Sequence, residues 1–194
     1  MNFDRRTLLL AMAGSLLSST AAWPEEPLRP FMLEDVNGKV VDDGALQGRA
    51  SLVFFGYTSC PDICPTAMMT VSRVLQLLGP DGDKLLALFI SLDPRRDTRK
   101  VLSDYAANFD PRIVPLRGPE PYVEAAAQAF GVTYRVVTPG TSKPDDYTID
   151  HSALIFLVGP DGRIAQRFGH SEPAEKIAAR VKEIMASIAG AQGN

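Results

Sequence analysis

The chain has 194 residues, 45% of them hydrophobic and 22% charged, which is ample apolar material for one packed core. Its formal net charge is −3, from 20 basic and 23 acidic residues scattered along the chain. That balance gives no electrostatic footprint for nucleic acid, so no nucleic-acid partner is expected.

Residues 1–22 read as an export signal. Arg5-Arg6 precede an uncharged stretch from Thr7 to Ala22, and small residues Ser19-Thr20-Ala21-Ala22 precede Trp23-Pro24, so cleavage is expected after Ala21 or Ala22. Asp4-Arg5-Arg6-Thr7-Leu8-Leu9 also suits a twin-arginine signal. A membrane anchor is the lesser alternative, because Gly14, Ser15, Ser18, Ser19 and Thr20 interrupt the apolar stretch and a stable span usually needs about 20 strongly apolar residues. The leader holds no cysteine, which excludes lipid attachment there. The rest, 23–190, is expected to be one domain, most simply a monomer.

In chain order, Phe31 to Val41 predicts a short N-terminal hairpin turning at Asn37-Gly38 and covering a core edge. Ser51 to Tyr57 is nearly all apolar without alternation, which fits a strand buried on both faces. The segment Cys60-Pro61-Asp62-Ile63-Cys64-Pro65 then opens a helix carrying Met68, Val71, Val74, Leu75 and Leu78 and ending at Gly79-Pro80. Lys84 to Leu92 is a second apolar run, and Asp97 or Thr98 can cap a helix reaching about Phe109. Ile113 to Leu116 predicts a third strand, Pro121 to Phe130 a helix, and Val132 to Val137 a strand pairing with a later segment. The apolar period is absent from Thr138 to Asp146, which reads as a mobile loop. Ala153 to Val158, the turn Gly159-Pro160-Asp161-Gly162 and Arg163 to Phe168 form a hairpin extension, and Glu175 to Ile188 closes the chain as a helix. The expected architecture is an α/β sandwich with a central mixed β-sheet flanked by helices.

Cys60 and Cys64 are the only cysteines. They stand at a strand end feeding a helix N-terminus, where backbone amides and the helix dipole favour thiolate over thiol. In an exported chain the pair could instead be a structural disulfide, but a bridge across three residues constrains little chain entropy. A cysteine motif after the first central strand points to the thioredoxin-like group. If the sheet is ordered as in that group, the end that bears Asp150-His151-Ser152-Ala153 faces the cysteine helix. Two thiolates and one imidazole suit copper, as Cu(I) on the sulfurs or Cu(II) with the added nitrogen, whereas zinc prefers a fourth ligand. Asp93 is a candidate outer support for the thiolates and Asp150 one for His151. His170, between a strand end and a helix start, reads as a loop residue.

Tyr57-Thr58-Ser59-Cys60-Pro61-Asp62-Ile63-Cys64-Pro65, Ser91-Leu92-Asp93-Pro94-Arg95-Arg96-Asp97-Thr98 and Asp150-His151-Ser152-Ala153 occur in order and together resemble the Sco/SenC family of copper chaperones, over roughly residues 27–188. The resemblance implies a thioredoxin-like fold with copper held by Cys60, Cys64 and His151. It implies a place in the periplasm on the outer face of the inner membrane, a copper donor or thiol reductase there, and delivery of copper to the binuclear centre of cytochrome c oxidase subunit II or another acceptor. Such a chaperone needs no bond-making catalysis.

Two other chemistries compete. A thiol-disulfide oxidoreductase would use Cys60 and Cys64 as its redox pair, against which stand the three-residue spacing and the absence of a proline just before Ala153. Cys64-Pro65-Thr66 has a superficial likeness to a peroxiredoxin site, but no upstream pattern accompanies it.

Overall fold

A computed structural model describes residues 27–138, 140 and 145–192, with side chains as far as 189. The leader and most of the polar segment after Thr138 lie outside these residues. Nine strands are β1 Met32–Asp35, β2 Val40–Asp42, β3 Ser51–Gly56, β4 Leu86–Ser91, β5 Ile113–Arg117, β6 Tyr134–Val137, β7 Thr148–His151, β8 Leu154–Val158 and β9 Ile164–Gly169. Four α-helices are α1 Ile63–Leu78, α2 Arg99–Ala106, α3 Glu120–Phe130 and α4 Ala174–Gln192. Among the described residues, no helix is long and apolar enough to cross a membrane.

Seven strands form one mixed sheet in the order β2-β1-β5-β4-β3-β8-β9. β3, β4 and β5 are parallel, as the crossover helices α1 and α2 require. The outer strands run antiparallel. All six residues of β3 are buried, the outcome expected of a central parallel strand covered on both faces.

Successive β3 side chains feed opposite core layers. Phe55 meets Phe130 of α3 and Phe156 of β8, with centroids 5.3 and 6.2 Å away. Phe54 stacks with Phe89 at 6.1 Å, and Phe89 touches Tyr105 at 5.6 Å. α1 packs against α4. The N-terminal hairpin turns where expected, with Gly38 at φ 84, and β1 continues the sheet beside β5.

The observed helix α2 ends at Ala106, short of Phe109, and a 3-10 turn over Gly79–Lys84 follows α1. Thr98 is the α2 cap, its hydroxyl accepting from the Val101 N–H at 3.3 Å. Asp97 is thereby free for another task. Completely buried, its carboxylate accepts from the Thr58 N–H at 3.1 Å, the Thr58 hydroxyl at 2.6 Å and the Ser91 hydroxyl. One side chain thus ties the segment after β3 to the end of β4.

Replacing Asp97 with Ala leaves buried donors on Thr58 and Ser91 unpaired and is expected to cost about 3 kcal/mol in urea denaturation. Asn retains part of the acceptor capacity and should cost less. Burial raises the Asp97 pKa against the pull of its hydrogen bonds. Its titration therefore adds stability below the ordinary carboxylate pKa, and that stability is lost as pH rises through the folded value. The advantage of Asp over Asn should widen as pH is lowered through the carboxylate range; a margin that narrows would contradict this.

Candidate metal centre

β3 ends at Gly56, and the chain turns through Tyr57, where the Cys60 N–H donates to the Tyr57 carbonyl at 3.3 Å. α1 starts at Ile63 with Asp62 at its N-cap, but the Asp62 side chain makes no capping bond. The Cys60 sulfur fills that role by accepting the Cys64 N–H at 3.4 Å. Helix N-termini leave N–H groups without intrahelical partners and carry positive partial charge, so the turn places a sulfur where negative charge is favoured.

His151 arrives from the other side as the last residue of β7. The Cys60 and Cys64 sulfurs and a His151 ring nitrogen lie within 4.8 Å of one another, with Cys64 Sγ 3.5 Å from His151 Nε2. His151 Nδ1 lies 3.1 Å from the Ser152 carbonyl oxygen. A carbonyl only accepts, so Nδ1 carries a proton and Nε2 is the ring nitrogen turned toward the sulfurs. Phe54 and Tyr57 meet the imidazole edge-on at 6.2 and 6.1 Å. Both cysteines are free thiols.

The two sulfurs differ in environment. The Cys64 thiol donates toward Cys60 and, with His151 and the N–H groups of Asp62 and Cys64, holds the Cys60 pKa far below the ordinary thiol range, against the opposing effect of burial. The same hydrogen bond to Cys60, reinforced by burial, pushes Cys64 upward. Cys60 is therefore the resident thiolate and is partly exposed, whereas Cys64 is protonated and fully buried. Gly56 makes room for this packing: a Cβ there would stand 2.7 Å from Cys64 Sγ, and 3.0 and 3.1 Å from the Phe54 and Phe89 rings.

Metal–sulfur and metal–nitrogen bonds of about 2.3 and 2.0 Å place ligand atoms roughly 4 Å apart, so these three atoms need move little to close on a soft ion. Nothing in the cluster is hard: two sulfurs and an imidazole make a set suited to copper.

The other sequence candidates lie elsewhere. Asp150, a neighbour of His151, projects to the opposite side of β7, as strand alternation requires, and pairs with Arg135 at 3.0 Å. The Ser152 carbonyl does the orienting that Asp150 was expected to do. Asp93 is buried but accepts from the Tyr147 hydroxyl and the Arg96 side chain rather than from a cysteine. His170 is in the turn after β9, outside the cluster. Asp97, Tyr147 and Gly56 escaped the sequence reading. The capping-type pattern masked Asp97, and the polar stretch before it masked Tyr147.

The fold and this three-residue centre define a thioredoxin-like protein with a thiolate–imidazole site, and the comparisons narrow the class. Residues 21–186 match the SCO1/SenC family, and the chain belongs to that family. It is 37% identical over 139 residues to a SCO2-like protein of Rickettsia prowazekii, covering 72% of this chain and 67% of that protein. The structure of Bradyrhizobium japonicum ScoI with copper bound superposes with a TM-score of 0.75 at 41% identity, over 82% of this chain and 99% of that one. BsSco, a member of the Sco family of cytochrome c oxidase assembly proteins in which a disulfide switch was identified, superposes at 0.66 with 25% identity, over 84% and 95% of the two chains.

Iodoacetamide should alkylate Cys60 before Cys64, as followed by peptide mass spectrometry. An ordinary thiol slows about tenfold per pH unit below its pKa; the Cys60 rate should stay nearly flat from pH 8 to 5. Preferential labelling of Cys64, or a normal acid decline at Cys60, would reverse the assignment of the thiolate.

Proposed function

We propose that this protein is a copper chaperone that receives copper in the periplasm and delivers it to the binuclear copper centre of cytochrome c oxidase subunit II. The observation that carries this reading is the convergence of the Cys60 and Cys64 sulfurs and a ring nitrogen of His151 within 4.8 Å. Membership of the SCO1/SenC family and the copper-bound ScoI relative support it. The export signal read in residues 1–22 supports the compartment, with the domain either released there or held at the inner membrane.

Copper is the cargo. The partly exposed Cys60 thiolate meets it first, Cys64 loses its proton as the second sulfur binds, and His151 adds its nitrogen. Three ligands leave room for an incoming acceptor thiolate, so transfer can proceed by stepwise ligand exchange with no net oxidation or reduction.

One observation favours a second reading, a thiol-disulfide reductase. A stabilised thiolate at Cys60 beside a protonated thiol at Cys64 is the arrangement of an attacking and a resolving cysteine. Cys60 would displace one partner sulfur to form a mixed disulfide. Deprotonated Cys64 would then close the Cys60–Cys64 bridge, and two partner thiols would be released. The same bridge would prevent copper uptake, making the oxidised state a gate on the first activity.

Anaerobic titration of the reduced domain is expected to give one copper per chain. Cys60→Ala or Cys64→Ala should lower affinity by about a hundredfold or more. His151→Ala should weaken Cu(II) by about a hundredfold and Cu(I) by less than about tenfold, with changed thiolate-to-Cu(II) absorption. Stoichiometric copper on the disulfide form would refute the gate. No retained copper, with rapid reduction of a protein disulfide, would replace the chaperone reading with the reductase one.

A further inference from the structure

His151 sits on a hairpin that the main sheet does not hold. β6 and β7 pair only with each other, so backbone hydrogen bonding to the seven-stranded sheet does not fix the height of β7 above the cysteines. Side chains must do so, and the strongest set of contacts lies just before β7, at Tyr147.

Tyr147 is 8% exposed. Its hydroxyl donates to Asp93 Oδ1 at 2.7 Å, and the Arg96 guanidinium lies 3.6 Å from its ring centroid. Arg96 Nη1 donates to the Tyr147 carbonyl at 2.8 Å and the Asp145 carbonyl at 3.1 Å, while Arg96 Nε pairs with Asp93 Oδ2. Ring, hydroxyl and backbone carbonyl of one residue are thus all held by the loop between β4 and α2. Arg96 also approaches the Tyr57 ring at 5.7 Å, and Tyr57 flanks the His151 imidazole.

The Arg96 geometry carries a cost. Its side chain is only 16% exposed, and Nη2 is buried with no hydrogen-bond partner among the described residues. A buried donor left unpaired is unfavourable, whereas an arginine turned toward solvent would avoid that loss. The retained pose stacks a planar cation over Tyr147 while Nε holds Asp93 and Nη1 reaches two carbonyls of the hairpin, a geometry that lysine cannot reproduce. Neither residue is within reach of the cysteines as a ligand, so their effect on the site passes through β7.

We infer that Tyr147, clamped by Asp93 and Arg96, is the positioning residue for His151, fixing the hairpin so that the imidazole nitrogen meets the Cys60–Cys64 pair. The inference rests on the copper reading for its metal readout but not for its structural one. Losing the clamp frees His151 and leaves both sulfurs seated on α1 and the Asp97-anchored turn. The effect is therefore selective: it falls on the copper state that needs the nitrogen.

Tyr147→Phe removes the hydroxyl and keeps the ring beneath Arg96; Arg96→Lys keeps charge and removes the planar fork. In both, Cu(II) affinity is expected to fall about tenfold, the scale of losses when support for a metal ligand is removed. The thiolate-to-Cu(II) band should shift toward that of His151→Ala, and Cu(I) affinity should stay within about twofold. Arg99→Lys, in the exposed pair with Glu34, serves as the control and should change neither. In metal-free protein, amide hydrogen exchange at Thr148 and Asp150, whose N–H groups face β6 in the ladder that continues from the Ser152 N–H to Thr133 carbonyl bond, should accelerate about tenfold in Tyr147→Phe with β8 unaffected. Equal loss of Cu(I) and Cu(II), an unchanged Cu(II)-to-Cu(I) ratio, or unchanged exchange in β7 would overturn the inference. Failure of the wild type to retain either copper state overturns the chaperone reading alone, because the exchange experiment still decides the positioning role.

Discussion

The centre depends on a buried carboxylate that touches none of its ligand atoms. Asp97 receives the Thr58 N–H, the Thr58 hydroxyl and the Ser91 hydroxyl, joining the turn after β3 to the end of β4. That anchor joins the Leu92 N–H to Gly56 carbonyl bond at 2.8 Å in fixing the five residues from Gly56 to Cys60 across the end of the sheet. Burying a polar group this deeply is costly unless it is satisfied, and at Asp97 satisfaction also dictates geometry. The turn has one path that feeds Asp97, and that path brings the Cys60 sulfur onto the first turn of α1.

From that position the asymmetry of the thiols follows. The hydrogen bond from Cys64, with His151 and the backbone N–H groups at the helix N-terminus, settles the negative charge on Cys60. Cys64, one helical turn on, occupies the space left open at Gly56, and its hydrogen bond to Cys60, reinforced by desolvation, keeps its proton. In the reduced pair, one sulfur is open to approach and the other is buried. This requirement is common to metal exchange and disulfide exchange, which is why the same geometry supports both chemistries. His151 serves both, since its ring nitrogen can complete a metal's ligand set and its hydrogen bond also favours the Cys60 thiolate.

The sequence made the strand-helix alternation legible because the central strands are unbroken apolar runs and α1 and α4 keep helical spacing. The three ligands were legible for a different reason: cysteine and histidine are rare in this chain, so their chemistry stands out before any contact is known. Supporting residues carry no such label. Asp97 stands beside Thr98 at a helix start, and both fit a cap equally well from local pattern; only the fold shows that its partner is 39 residues away. Tyr147 meets Asp93 across 54 residues from just beyond a polar segment with no apolar period. Asp150 erred the other way, since adjacency in sequence suggested contact, whereas a strand sends neighbours to opposite faces.

Holding and releasing a metal are opposed demands, and the architecture divides them between two kinds of support. The sulfurs belong to the main body, fixed by sheet, helix and a fully satisfied buried carboxylate. The nitrogen belongs to a two-stranded hairpin outside the main ladder, where few backbone bonds oppose displacement. Weakening one ligand of three lowers the barrier to exchange without dispersing the other two. A fourth fixed ligand, or a histidine placed on a central strand, would hold the ion more tightly but leave no weak point for an acceptor to use. Placing the histidine on the least integrated strand pair therefore suits the transfer function proposed for this site.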